Sequence, residues 1–313
     1  MYQPWSIQIK AAIEIKKLYK NYNNVNALKG IDLIIPKGEF YGLLGPNGAG
    51  KTTTINIITG LVKISSGSVT VLGHDVINDF KNSRKKVGLA PQEFNFDHFF
   101  NLEEMLTFQA GYYGVKKSIA KERAKKMLKQ FGLETKANST ARQLSGGMKR
   151  RLQIAKSLVH DPPIVILDEP TAGVDLELRH MLWDYLKKIN TEGKTILLTT
   201  HYIDEAELLC KKISIIDNGK IITTGNTNDL IKSGGQSSIK IKIKNWIYSD
   251  LLNKWEHSYN DNYLHIQTNS PDEDMPKLIK IISKTNASIE KINVVKATLE
   301  DVFIKLTGKS IND

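Results

Sequence analysis

Phe40-Tyr41-Gly42-Leu43-Leu44-Gly45-Pro46-Asn47-Gly48-Ala49-Gly50-Lys51-Thr52-Thr53 is the stretch that decides the architecture. Glu39 to Leu44 reads as a short buried strand, and a helical pattern follows from Thr52 to Gly60. Between them, Gly45 to Thr52 matches GxxxxGK[ST] in the strand–loop–helix context that this pattern requires. Glycines let backbone N–H groups converge on phosphates without side-chain obstruction, and the helix presents its positive end to the same anion. The pattern therefore points to a nucleoside triphosphate. Lys51 is expected to reach the β- and γ-phosphates and Thr52 to coordinate Mg²⁺. Gly45, Pro46, Asn47, Gly48, Ala49, Gly50 and Thr53 are expected to complete the cradle.

Working outward, the next chemical signal is Ile164-Val165-Ile166-Leu167-Asp168-Glu169, an apolar strand ending in two acids. Such a strand puts Asp168 at the sheet edge, where it can hold Mg²⁺ or a water on it. Glu169 points elsewhere and is suited to polarise an attacking water. Around these two strands β and α patterns alternate. Strands are expected at 12–18, 28–35, 68–72, 86–90 and 195–199, a helical region at 101–160, and helices at 175–190 and 202–210. Asn101 and Glu104 form a capping pair, and Asn218-Gly219 between apolar runs signals a hairpin. This alternation predicts an α/β fold with a mainly parallel sheet covered by helices. Ser233 to Ser238 forms a small polar linker. Beyond it, Ile239, Ile241 and Ile243 alternate with lysines as on an edge strand, Ser270-Pro271-Asp272-Glu273 starts a helix, and Thr298 with Asp301 caps the last one. The reading divides the chain into residues 1–236, with a helical subdomain at about 93–160, and a small α+β appendage at 237–313.

The 313-residue chain is 41% hydrophobic and 25% charged, ordinary for a folded protein. No stretch approaches the ~18–20 consecutive apolar residues of a membrane-spanning helix, so if the protein serves a membrane, other chains are expected to supply the spans. The N-terminal segment from Met1 to Trp5 lacks the basic-then-apolar pattern of a leader. Cys210 is the only cysteine, which excludes an intramolecular disulfide. The net charge of +11 lies almost wholly in residues 1–237, much of it in Lys116, Lys117, Lys121, Arg123, Lys125, Lys126 and Lys129. A solvated helix face and proximity to anionic lipid both account for this run.

Leu144-Ser145-Gly146-Gly147-Met148 precedes a helix carrying Lys149, Arg150 and Arg151, and lies shortly before the acidic strand. The order of cradle, glutamine (Gln92), this signature, acidic strand and histidine (His201) resembles the ABC ATPase family over roughly residues 10–232. The resemblance implies a P-loop core with an antiparallel β subdomain and a helical subdomain. It implies that the signature of one subunit closes over ATP held by its partner's cradle, with Ser145, Gly146 and Gly147 facing the γ-phosphate. Gln92 corresponds to the glutamine that senses Mg²⁺ or the attacking water, and His201 to the switch histidine on the γ-phosphate. Asp175 matches the loop that communicates across the dimer. Tyr22, with Tyr19 as a rival, matches the aromatic that stacks on adenine. Met148 departs from the glutamine usual in the family. Phe94, Phe96, Phe99 and Phe100 are either core or the lining of a groove for a membrane-subunit helix.

Ala297-Thr298-Leu299-Glu300-Asp301-Val302-Phe303, then Leu306-Thr307-Gly308, resembles the ending of ATPases in the daunorubicin-resistance-like group. Those subunits pair with separate membrane chains of the ABC-2 export type. The resemblance thus implies an Mg²⁺-dependent ATPase, working as a dimer and most simply a homodimer. It would sit at the cytoplasmic face of the membrane, held there through separate transmembrane permease subunits, with the appendage aiding dimer contacts or regulation. Nucleic acid is not expected as a partner. There is one cradle, no long heptad run and no cysteine cluster, unlike the ribosomal and DNA-repair relatives of the family.

Overall fold

The computed structural model describes residues 10–235, 237–246, 252–285 and 287–311. The segment read for a leader and Gln236 of the linker lie outside the described residues. The chain divides into two compact units, one ending at Gly225 and the other spanning Asn226–Ile311.

The first unit opens with a long hairpin, β1 (Ala11–Tyr22) and β2 (Val25–Pro36), then β3 (Phe40–Leu44) and helix α1 (Lys51–Ile58). β4 (Ser66–Val71), β5 (His74–Asp75), α2 (Phe80–Lys85) and β6 (Val87–Ala90) follow. Three helices come next: α3 (Leu102–Tyr112), α4 (Lys117–Gln130) and α5 (Gly146–Leu158). The unit closes through β7 (Ile164–Asp168), α6 (Leu176–Thr191), β8 (Thr195–Thr200), α7 (Ile203–Leu209), β9 (Lys212–Asp217) and β10 (Lys220–Asn226).

Two sheets result. The antiparallel one runs β2-β1-β4-β5, and the larger runs β10-β9-β3-β8-β7-β6 with parallel pairs from β9 to β6. Every residue of β3, β7 and β8 is buried, which is why these strands read as continuous apolar runs rather than alternations. Their register aligns Leu44 with Thr200, Asp168 with Thr199 and Ala90 with Leu167. The carboxyl ends of four strands therefore open onto one edge, where an α/β sheet presents its ligand crevice. Asn218 and Gly219 both have positive φ (48° and 75°), as a two-residue primed turn demands. The Asn101–Glu104 capping box starts α3: Asn101 Oδ1 accepts from the Glu104 amide at 2.9 Å, and Glu104 Oε2 from the Asn101 amide at 3.1 Å.

The second unit holds α8 (Thr227–Gly234), β11 (Ser237–Lys244), β12 (His257–Asn260), β13 (Tyr263–Thr268), α9 (Pro271–Ile282), β14 (Ser288–Val295) and α10 (Leu299–Thr307). Its antiparallel sheet runs β12-β13-β11-β14. β11 is thus central, not the edge strand its lysines suggested. Ile239, Ile241 and Ile243 join Leu264, Ile266, Leu278 and Ile282 in a core of their own. The alternate lysines occupy the other face, where Lys242 and Lys244 pair with Glu290 at 3.0 and 2.5 Å. The second unit begins at Asn226, and within it α8 packs against α10.

Candidate functional site

The cradle is built by close approach. A Cβ on Gly45 would lie 2.2 Å from the Ile216 carbonyl oxygen, so only glycine lets β3 leave the sheet here. Gly50 caps α1 with φ 110°, a left-handed conformation open to glycine. The hairpin tip locks this loop in place, since the Gly219 amide donates to Ala49 O at 3.0 Å and the Lys29 amide to Gly219 O at 2.8 Å.

Lys51 is buried and arches back over the loop, donating to Gly45 O at 2.6 Å and Pro46 O at 3.1 Å. Burial pushes its ammonium below the usual lysine range, while Glu169 and Asp168 pull it back up. Glu169 Oε1 lies 3.6 Å from Lys51 Nζ. Gln92 Nε2 donates to Glu169 Oε2 at 3.0 Å. His201 Nδ1 is 3.2 Å from Glu169 Oε1, near enough for an ion pair but off the hydrogen-bonding direction, so the ring nitrogen has no hydrogen-bond partner. Glu169 itself has φ 50°, left-handed backbone that costs a side-chain-bearing residue about 1–2 kcal/mol.

Asp168 is buried one residue earlier. The hydroxyls of Thr199 and Thr52 donate to it, and burial raises its carboxyl above the ordinary value despite those bonds. Thr52, Asp168 and Gln92 make a set of hydroxyl, carboxylate and amide, the oxygen donors that a hard divalent cation such as Mg²⁺ takes alongside phosphate. Among the described residues there is no cluster of three or more His, Cys, Asp or Glu that could hold a metal ion.

A cavity of about 580 Å³ opens over these groups, within the range of small-molecule sites. Pro46, Asn47, Gly48, Gly50, Lys51, Thr52, Thr53, Gln92 and Glu169 line it. Gly45 and Ala49 belong to the same loop without lining the cavity. Part of the wall was not legible in the sequence: Asn24 to Ala27 and Lys29 of the first hairpin, and Asn218 with Gly219. Tyr22 flanks this wall without being part of it, 42% exposed under the Lys20 ammonium at 4.5 Å. Tyr19 packs its ring against Gly30.

Ser145, Gly146 and Asp175 are exposed, Gly147 half-buried, and none of them lines this cavity. Ser145 and Asp175 instead cap α5 and α6, accepting from the Met148 and Leu178 amides at 3.3 and 2.9 Å. Glu205 is a further buried acid that the sequence reading passed over. It accepts from Trp183 Nε1 at 2.9 Å and Thr171 Oγ1 at 3.1 Å, tying α7 to α6, and burial holds its carboxyl above the usual range.

A second, larger cavity of about 1220 Å³ lies between α3 and α4, walled by Phe100, Met105, Phe108, Tyr112, Lys117 and Lys121. The four phenylalanines divide: Phe96 is buried, Phe100 meets Phe108 at a tilt with ring centres 4.7 Å apart in this groove, and Phe94 and Phe99 are exposed. Among the described residues no helix is long and apolar enough to cross a membrane.

Residues 28–172 match the family described as ABC transporter. The chain is 37% identical to the Nod factor export ATP-binding protein I of Cupriavidus pinatubonensis, over 97% of this chain and 93% of that one. It is 34% identical to the linearmycin resistance ATP-binding protein of Bacillus subtilis, over 96% and 100%. Among solved structures it is similar to a dimeric ATP-binding cassette in a post-hydrolysis state with ADP and Pi, with a TM-score of 0.64, 30% identity, and coverage of 68% of this chain and 98% of that one.

Proposed function

This chain belongs to the ABC transporter family of ATP-binding, ATP-hydrolysing subunits, and on that premise we propose that it powers an ABC-2-type membrane exporter by ATP-driven closure of a dimer. One observation carries the reading. Lys51, Gln92 and Glu169 line one cavity with His201 beside Glu169, while Ser145 to Gly147 and Asp175 are presented elsewhere on the same chain. The site is therefore incomplete within one subunit, and a second copy facing the first supplies the missing hydroxyl and N–H groups. ATP then acts as glue between two subunits, and hydrolysis weakens it.

In the closed dimer Glu169 orients and polarises the attacking water, with Gln92 and His201 each addressing one of its carboxylate oxygens. Lys51 leaves its resting carbonyls for the β- and γ-phosphates. Thr52, Asp168 and Gln92 would hold Mg²⁺, which supplies charge neutralisation on the phosphates. The signature residues and Asp175 of the partner close the site over the γ-phosphate, and Tyr22 turns over the adenine beside the Asn24–Ala27 wall. The aromatic groove between α3 and α4 receives a helix of a separate permease subunit, which holds the protein at the cytoplasmic face of the membrane. The names of the export and resistance relatives support outward transport, with cargo chosen by the permease.

The test is a pull-down of Glu169→Gln protein with ATP from detergent-solubilised membranes. A trapped dimer carrying a multi-span membrane protein is expected. A variant that hydrolyses ATP at the parent rate overturns the role of Glu169. An eluate of only ribosomes, nucleic acid or soluble proteins overturns the transporter reading.

A further inference from the structure

Helix α5 opens with the signature residues, and one face of it grips the chain segment after β6. Arg150, Gln153 and Lys156 are spaced three apart and share one stripe of the helix. Arg150 Nη1 donates to Pro91 O at 3.3 Å, Gln92 O at 3.2 Å and Gln153 Oε1 at 2.8 Å. Gln153 Nε2 passes the contact on to Glu93 O at 2.7 Å, and Lys156 Nζ reaches Asn95 O at 3.4 Å. The same cations lie over the intervening rings, Arg150 at 5.0 Å from Phe94 and Lys156 at 6.0 Å from Phe96. Every residue from Pro91 to Phe96 thus touches this helix face by carbonyl or by ring.

Arg150 is only 4% exposed and Gln153 3%. A buried guanidinium is costly, and apolar side chains fill such space more cheaply. Among the described residues no carboxylate stands in hydrogen-bonding reach of this charge. Burial lowers its proton affinity, while Glu169 and Asp168 act on it through space. One of its nitrogens, Nη1, holds the main chain of Gln92, and the side chain of Gln92 holds Glu169. A lysine, a point charge on a flexible stem, lacks the rigid plane that lies over Phe94 and keeps Nη1 on the Pro91 and Gln92 carbonyls.

We propose that Arg150, supported by Gln153, is the positioning residue that sets Gln92 against Glu169, and that it links the two nucleotide sites of a dimer. ATP held by the partner engages Ser145 to Gly147 at the head of α5, and Arg150 relays the resulting shift of α5 to the same chain's own Gln92–Glu169 pair. This rests on Glu169 being the catalytic carboxylate, as proposed above.

The test is steady-state ATP hydrolysis by full-length Arg150→Lys, alone and combined with Gln92→Ala, with Glu169→Gln as control. The expected result for Arg150→Lys is a kcat lowered at least about tenfold, a KM within about twofold of the parent, and a Hill coefficient falling towards one. In the Gln92→Ala background the same substitution is expected to cost nothing more, because the link it serves is already cut. Parent-like kcat and cooperativity in Arg150→Lys, or an equal loss in both backgrounds, overturns the proposal. Should Arg150→Lys fail to fold, Gln153→Leu keeps the cation while removing the grip on Glu93, and is read the same way. An inactive Glu169→Gln beside a parent-like Arg150→Lys sinks this inference alone. A fully active Glu169→Gln sinks the reading beneath it.

Discussion

His160 Nε2 faces the Val87 carbonyl at 3.2 Å, and its ring stacks on Tyr113 at 3.8 Å. A carbonyl only accepts, so Nε2 carries the proton and Nδ1 is left bare and buried without a partner. Protonating Nδ1 would bury a charge with nothing to receive it, and burial holds the pKa down at about 4 against 6.5 for a free histidine. The folded value lies below the unfolded one. The stability contributed is therefore complete above about pH 6.5 and is lost as pH falls towards 4, roughly 3 kcal/mol in all. His160→Phe keeps the ring stack and removes the titration. Its urea midpoint should change less between pH 7 and 4.5 than the parent's, and an equal slope would show that another group carries the acid sensitivity.

Gly88 plays the matching part for whole elements. A Cβ there would lie 2.0 Å from Ser157 O and 2.8 Å from Pro162, so β6 and α5 touch backbone to backbone. Gly88→Ala must push them apart at a cost of about 1–3 kcal/mol. A lowered melting temperature with slower hydrolysis is expected, since the displaced strand leads straight into Pro91 and Gln92. Parent-like stability would mean that the contact is soft. Elements announced by local chemistry were legible in the sequence. The Gly45–Thr52 loop needs its glycines, Asn101 needs Glu104, and Asn218-Gly219 needs positive φ. Lys51, Gln92, Glu169 and His201 could be named before any fold was known, and the structure brings them together. What sequence concealed is set by pairing between distant segments. Asn24 to Ala27 and Lys29 join the cavity only because Lys29 bonds Gly219. β11 is central only because β14 pairs with its far side. Arg150 sits in a run of three cations to which the sequence assigned no role, and its burial comes from the Pro91–Phe96 segment folding over it.

At the scale of the whole chain, the two units bury separate apolar clusters, one around Tyr41, Leu43 and Ile166 and one around Ile241 and Ile266. Each can be asked for its own contribution. Residues 1–225 expressed alone are expected to bind a fluorescent ATP analogue within about twofold of the full chain. The ATP-dependent dimer of their Glu169→Gln form, followed by size-exclusion chromatography, is expected to be weaker. Loss of nucleotide binding would mean that the second unit supports the cradle, and an undiminished dimer would remove its proposed part in subunit contact. A cut after Gly225 is the informative one, because a cut after Gln236 strands α8 without α10. The left-handed backbone at Glu169 also bears on descent. Of the six residues one nucleotide away from a glutamate codon (Asp, Gly, Gln, Lys, Ala and Val), Asp and Gly tolerate that conformation best and β-branched Val worst. A duplicated gene drifting towards a partner that grips ATP without cleaving it therefore meets a steric bias at this codon against Val.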